Sequence, residues 1–229
     1  MIIYGKQVFF YLLRRHRELV NELYLAKECD RLTFSELAKS GLKIKKLDFK
    51  TAQAYAKGGN HQGFLMDIKE PSLATLQAVK KGKFLAMLWG VSDMGNSGAI
   101  IRTAYALGVD GLIFVAPRLN LQALLRTSSG AAASLPIVLA EDGLSVLNEL
   151  KQVGFSLYGA HSGGGAIHNF KPGADKKVLI MGSEGEGLSQ KIMRKCDDCV
   201  GIAMKNDFDS LNVSAAFAIL CDRMMHAKL

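Results

Sequence analysis

The stretch Phe84-Leu85-Ala86-Met87-Leu88-Trp89-Gly90-Val91-Ser92-Asp93-Met94-Gly95-Asn96-Ser97-Gly98 decides the fold. Its first six residues are apolar without alternation, the pattern of a strand buried on both faces. A loop of small and polar residues follows. Over 97–107 the apolar residues Ile100, Ala104 and Leu107 recur at i, i+4 and i+7, which predicts a helix, and Gly108 stops it. Working outward, 112–116, 155–160 and 178–181 read as further buried strands. A last helix is expected over 211–227, with Val213, Phe217, Leu220 and Met224 on one stripe. Alternating strands and helices predict an α/β fold with a parallel sheet covered on both faces.

The chain upstream reads differently. Residues 1–68 carry most of the Lys/Arg excess in short alternating elements: a helix over 6–15, a strand over 22–26, a helix over 35–39 stopped by Gly41, a strand over 43–47, a helix over 51–57 and a strand over 63–68. This predicts a small α/β domain at 1–68, a linker at 69–82 with a short helix over 73–79, and the parallel-sheet domain at 83–229. Arg14, Arg15, Arg17, Lys43, Lys45 and Lys46 fall on the turns of the first domain, where they are candidates for RNA contact.

Lys and Arg outnumber Asp and Glu by 29 to 21, a net charge of +8 over 229 residues. A basic balance favours polyanionic partners, because each neutralised phosphate releases counterions. No apolar run approaches the roughly 18 residues needed to span a bilayer, and the first residues lack the features of a signal peptide. A cytoplasmic protein with no membrane partner is expected. Four cysteines are too few for a disulfide scaffold. Cys196 and Cys199 have CxxC spacing, but a structural zinc would want a second pair, so no metal is expected. His61, His161 and His168 have no partners at metal or triad spacing and read as surface or packing residues.

In an open parallel sheet, ligands bind outside the carboxyl ends of the strands. Three loops leave such ends. The first, 90–98, opens the helix that carries Arg102 about one turn in. Asn96 or Ser97 would cap that helix, and the guanidinium beside a helix start suits an anionic group. The second is Gly182-Ser183-Glu184-Gly185-Glu186-Gly187-Leu188-Ser189. Its three glycines allow close approach of backbone to a ligand. It lacks the spacing of a dinucleotide or phosphate loop. Its two carboxylates suit a cationic or hydroxyl-bearing ligand better than a phosphate. The third is Lys205-Asn206-Asp207-Phe208-Asp209-Ser210-Leu211-Asn212-Val213-Ser214, where Ser210 or Asp209 would cap the last helix. Ser128-Ser129-Gly130-Ala131 is read as a helix end or an RNA-touching loop.

Taken together, Asn96-Ser97-Gly98-Ala99-Ile100-Ile101-Arg102-Thr103-Ala104, Ile180-Met181-Gly182-Ser183-Glu184-Gly185-Glu186-Gly187-Leu188 and Ser210-Leu211-Asn212-Val213-Ser214 resemble the three ordered motifs of the SpoU (TrmH-like, SPOUT superfamily) ribose methyltransferases. Ile3-Tyr4-Gly5-Lys6 and His61-Gln62-Gly63 are similar to the small RNA-substrate-binding domain of the RlmB-like branch, so the likeness covers nearly the whole chain. The resemblance implies a sheet whose C-terminal segment threads a loop to form a trefoil knot, an exception to ordinary connection rules. It implies S-adenosylmethionine as cofactor, contacted by Gly182, Ile202 and Leu211. It makes Asn96, Arg102, Glu184, Ser210 and Asn212 the polar reaction site, and a homodimer the working form. The expected reaction is 2′-O-ribose methylation of a guanosine in large-subunit ribosomal RNA. The alternatives are a transfer RNA substrate, or a non-catalytic RNA-binding assembly factor.

Two positions depart from the family pattern: Met94 follows Asp93 where proline is frequent, and Ala203 replaces a proline before the third motif. The family mechanism makes the arginine at position 102 the base. An arginine stays protonated at ordinary pH, so anchoring phosphate and stabilising the forming alkoxide suit it better. Glu184 is expected to orient Arg102 or Asn96.

Overall fold

The computed structural model describes residues 1–206 and 209–226. Packing sorts them into two units. The first holds Met1–Ser72 and Asn120–Ser134, the second Leu73–Leu119 and Leu135–Leu229.

The first unit begins with β1 (Ile2–Tyr4), which the sequence reading left unassigned. Gly5, at φ 110°, turns the chain into α1 (Lys6–Arg15), matching the expected helix. Then come β2 (Val20–Leu25), α2 (Arg31–Lys39), β3 (Ile44–Lys46), α3 (Phe49–Tyr55) and β4 (Phe64–Ile68). α2 starts four residues before the expected position because Asp30 caps it, its carboxylate accepting from the Thr33 N–H. Asp48 does the same for α3 through Thr51. The four strands form one mixed sheet in the order β1-β4-β2-β3. Its core includes Tyr4, Tyr24, Ala52, Ala56 and Leu65, and the rings of Phe9, Phe10 and Phe64 meet at 5.2–5.3 Å.

The second unit opens with α4 (Leu76–Val79), whose Val79 is buried in this unit's core. β5 (Phe84–Trp89) and α5 (Met94–Leu107) follow, with Gly108 as the left-handed stop at φ 80°. The helix begins three residues earlier than its apolar pattern suggested. Neither Asn96 nor Ser97 caps it: Asp93 does, through the Asn96 N–H at 2.7 Å. Met94 therefore occupies the first helical position, where a proline costs no hydrogen bond. Arg102 consequently lies about two turns into the helix, not one.

After β6 (Gly111–Val115) the chain leaves for the segment Asn120–Ser134, which packs with the first unit although the sequence reading kept it in the second domain. It holds α6 (Leu121–Thr127). Gln122 donates to the Ile2 carbonyl at 2.6 Å, and Arg126 lies 3.6 Å from the Tyr4 ring centroid. Ser128 ends α6, buried, with its hydroxyl accepting from the Ala132 N–H, so the helix-end reading holds there.

β7 (Ile137–Ala140), α7 (Gly143–Gln152), β8 (Phe155–Ala166), β9 (Lys176–Met181), α8 (Gln190–Met193), β10 (Asp198–Gly201) and α9 (Val213–His226) complete the second unit. Ala227, the expected end of the last helix, lies outside the described residues, as do Asp207 and Phe208 of the third loop. The six-stranded sheet is parallel throughout, in the order β10-β8-β9-β5-β6-β7. Leu85, Met87, Ile113, Leu157, Val178 and Ile180 share one face with Val146, Leu147 and Leu150 of α7. Alternate residues such as Leu88, Phe114 and Leu179 are equally buried on the other face, which explains the unbroken apolar runs. β10 ends at Gly201, so Cys199 is a strand residue and Ile202 to Met204 leave the strand as loop. Burial pushes the Cys196 thiol up to about 12, aided by Cys199 and Asp197, which makes it a packing group and a poor nucleophile.

Candidate active site

β9 delivers its carboxyl end into Gly182, and the loop 182–188 folds back on itself. Ser183 and Gly187 pair as an antiparallel bridge, with the Gly187 N–H donating to the Ser183 carbonyl at 3.1 Å. A Cβ on Gly182 would lie 2.1 Å from the Gly187 carbonyl carbon and 2.5 Å from the Leu188 nitrogen. Backbone cannot yield as a side chain can, so only glycine fits. Gly201, at the end of β10, would bring a Cβ within 2.7 Å of the His161 carbonyl oxygen, and Gly164 would meet the Val200 carbonyl carbon at 2.8 Å. Main chain lies directly on main chain at three places.

These segments surround a cavity of about 450 Å³. Gly182, Ile202, Ser210, Leu211, Glu184 and Asn212, all singled out from sequence, line it. Gly187, one of the three loop glycines expected to approach a ligand, lines it too, whereas His161, expected at the surface or in packing, Gly201, and Ala216 and Leu220 of α9 face it unforeseen. The i, i+4 spacing of Ala216 and Leu220 held a signal, but Leu220 was read as core stripe alone. Among the described residues no Lys or Arg lines the cavity, whereas Glu184 and Glu186 do.

Asn96 connects the three motifs. Asn212 caps α9, its Oδ1 accepting from the Ser214 N–H at 2.9 Å and the Ser214 hydroxyl at 2.6 Å. The cap is thus Asn212, not the expected Ser210 or Asp209. Because its oxygen is committed to a backbone donor, its Nδ2 must be the atom that donates to Asn96 Oδ1 at 2.9 Å. Asn96 Nδ2 then donates to Glu184 Oε1 at 3.0 Å. One directional chain runs from the start of α9, through the first turn of α5, to the glycine loop after β9. It exists because Asp93 took the capping role and released the Asn96 side chain. Glu184 thus orients Asn96, one of its two expected partners.

Arg102 is not brought into this chain. It is exposed on α5, about 9 Å further along the helix axis than Asn96. It makes no hydrogen bond or ion pair among the described residues and does not line the cavity.

The basic set of the first unit splits in two. Arg14 makes a two-pronged pair with Glu36 at 2.6 and 3.0 Å, Lys45 bonds Glu22 at 2.8 Å with Lys43 at 3.8 Å, and Arg17 donates to the Ser40 carbonyl. These bonds hold the Arg14 guanidinium above its ordinary pKa and the Glu36 and Glu22 carboxyls below theirs. Arg15 and Lys46 are exposed without such partners among the described residues.

Comparison with known proteins places the chain. The profile of the SpoU rRNA Methylase family matches residues 83–222, and that of the RNA 2'-O ribose methyltransferase substrate binding domain matches residues 2–74. The chain belongs to the SpoU rRNA methylase family, and is by that membership an RNA methyltransferase. It is 30% identical over 234 residues to the 23S rRNA (guanosine-2'-O-)-methyltransferase RlmB of Vibrio cholerae, covering 95% of this chain and 93% of that protein. It is 33% identical over 214 residues to an uncharacterized tRNA/rRNA methyltransferase of Mycolicibacterium paratuberculosis, covering 86% and 67%. The fold resembles that of the SpoU methyltransferase AviRb from Streptomyces viridochromogenes, crystallised with AdoMet, at a TM-score of 0.77 and 21% identity over 98% of this chain and 89% of that one.

Proposed function

We propose that this protein transfers the methyl group of S-adenosylmethionine to a ribose 2′-hydroxyl of RNA, and that its substrate is a guanosine in large-subunit ribosomal RNA. The observation that carries this reading is the hydrogen-bonded chain Asn212–Asn96–Glu184, which joins all three motifs beside a glycine-walled cavity.

The cavity's chemistry fits that methyl donor. Its volume suits a nucleoside-sized ligand. Its walls are main chain at Gly182, Gly187 and Gly201, with apolar Ile202, Leu211, Val213 and Leu220. Two carboxylates and no Lys or Arg line it among the described residues, which suits a cationic sulfonium and disfavours a phosphate. Gly182, Ile202 and Leu211 are the residues we assign to cofactor contact. When bound, S-adenosylmethionine supplies an already activated methyl electrophile.

The chain's own residues then have two tasks. Asn96, Glu184, Ser210 and Asn212 hold the ribose hydroxyl in line, since alignment is the main contribution a protein makes when the electrophile is ready. Arg102, exposed and without a hydrogen bond or ion pair among the described residues, anchors an RNA phosphate and stabilises the oxygen as its proton leaves to water or phosphate. The protein works as a homodimer, with the site near the subunit interface, and its C-terminal segment forms a trefoil knot. The close main-chain approaches at Gly164, Gly182 and Gly201 support that threading.

Full-length similarity to RlmB proteins, spanning both units, favours ribosomal over transfer RNA as substrate. Among the described residues no helix is long and apolar enough to cross a membrane, and we assign the protein to the cytoplasm, where its RNA substrate is.

The decisive experiment maps 2′-O-methyl groups in RNA from cells with and without this protein. Loss of one guanosine methylation in large-subunit RNA is expected. If every site persists, the catalytic reading fails. Purified Arg102→Lys should lose turnover by roughly a hundredfold. Near wild-type turnover would remove any need for the planar guanidinium.

A further inference from the structure

A second cavity, of about 490 Å³, lies wholly within the first unit. It is walled by the end of β2 (Ala26, Lys27), one side of α3 (Phe49, Gln53) and the turn 58–63. Four observations mark it as a place for a ligand. Phe49 stands 69% exposed at its edge. The Gln53 side chain has no hydrogen-bond partner among the described residues, and its Oε1 is shut off from solvent. Asn60 uses only its carbonyl oxygen, accepting from the Gln62 N–H, so its amide N–H groups have no partner among the described residues. Lys27 is the one cation among the lining residues, and no lining residue is acidic.

The turn is built to hold this shape. Lys57 and Gln62 adopt left-handed φ values of 49° and 53°, and Gln62 is fixed by accepting from the Lys6 N–H at 2.8 Å. His61 is buried, its Nδ1 accepting from the Gly63 N–H at 3.0 Å. In the neutral ring the proton therefore sits on Nε2, which becomes a donor. The His61 and Phe49 rings are 5.9 Å apart between centroids. This motif, His61-Gln62-Gly63, was read from sequence as family likeness and packing only.

We infer that this cavity receives one unpaired nucleobase of the substrate RNA, with the base stacked on Phe49. The Gln53 and Asn60 amides read its edge, and Lys27 meets an adjacent phosphate. An exposed aromatic face next to neutral donor and acceptor groups suits a base pulled out of a helix, since single-stranded bases are recognised by stacking and edge hydrogen bonds. A free anion would want more positive charge than one lysine. The inference rests on the reading of the first unit as an RNA-binding module, and assigns that module a specific recognition site.

The test uses the full-length protein and two RNAs of equal length and charge, a hairpin with 2-aminopurine in its unpaired loop and a fully paired duplex. Wild-type protein is expected to bind the hairpin more tightly and to quench its fluorescence. Phe49→Ala should weaken hairpin binding by about tenfold, as loss of one stacked base does, and leave duplex binding unchanged. Phe49→Trp should restore both affinity and quenching, and Gln53→Ala should weaken the hairpin alone. Phe49→Ala and Gln53→Ala variants that bind the hairpin like wild type overturn the pocket while leaving RNA binding by the first unit intact. Equal loss on both RNAs also overturns it. Wild-type protein that binds neither RNA overturns the pocket and the RNA-binding reading together.

Discussion

Two glycine turns wall two cavities of this protein, and they are built on opposite principles. In the second unit, a Cβ on Gly182 would strike the backbone of Gly187 at 2.1 Å. In the first, a Cβ on Gly59 would strike the Tyr4 hydroxyl at 2.2 Å, and one on Gly63 the Lys27 Cγ at the same distance. The first kind of wall is main chain, folded back after β9 through the Ser183–Gly187 bridge, and cannot swing aside as a side chain can. The second is made of side chains that can swing. A cavity for one invariant small molecule gains from the rigid wall, because alignment is where its catalysis lies. A surface that meets a large, deformable polyanion gains from the adjustable one.

Substitution at the rigid wall should have the largest effect. Gly182→Ala is expected to weaken S-adenosylmethionine binding by roughly a hundredfold in calorimetry, about 2.8 kcal/mol at 1.4 kcal/mol per factor of ten. Affinity within threefold of wild type would show that the loop can yield, and would erase the contrast. Asn96→Ala should come next. It breaks both bonds of the motif chain while Asp93 still caps α5, so turnover should fall by about a hundredfold with cofactor affinity nearly unchanged. A parallel loss of cofactor affinity would instead make Asn96 part of the cavity wall.

Gly59→Ala should be milder. Tyr4 must shift, and a cost of about 1–3 kcal/mol in urea unfolding is expected, with methyl transfer to a minimal RNA retained. A loss of the folded state would mean that Tyr4, held under Arg126, is as immovable as backbone. The smallest effect sharpens the view of a closed interior in the second unit. Burial pushes the Cys196 and Cys221 thiols up to about 12 from an ordinary value near 9. Folded protein should therefore react with iodoacetamide at these positions at least about tenfold more slowly at pH 8 than unfolded chain. The sign for stability follows. The native thiols keep their protons where the unfolded ones lose them, so their contribution is complete below pH 9 and declines as pH rises toward 12. Rapid labelling of Cys196 in the folded protein would contradict this.

Legibility in the sequence followed burial on both faces and the presence of local stop signals. β5 and α1 have the bounds their patterns predicted, because an unbroken apolar run and a clean amphipathic stripe are local facts. α5 was predicted three residues short, since its first turn, Met94-Gly95-Asn96, carries no apolar periodicity and begins only because Asp93 caps it. β1 and β7 escaped because three or four apolar residues are too few to show a period. Only the end of α6, at Ser128, was legible, and its place with the first unit comes from contacts to Ile2 and Tyr4 more than 100 positions away.

For the site, the residue types and their order were readable, while their relations were not. Gly182, Glu184, Ser210, Leu211 and Asn212 were identifiable through the resemblance of their motifs to the family's, and they do line one cavity. That Asn96 would be freed by Asp93 and aligned by Asn212, and that Arg102 would stand apart, depended on side chains separated by 88 and 116 positions. The sequence by itself determined the alternation of elements, the two regions and the chemical groups at the strand ends, because these depend on neighbours in the chain. Only the tertiary structure decided which donor meets which acceptor and where backbone touches backbone. Hydrogen bonds and steric limits act over about 3 Å in space, whatever the distance along the chain.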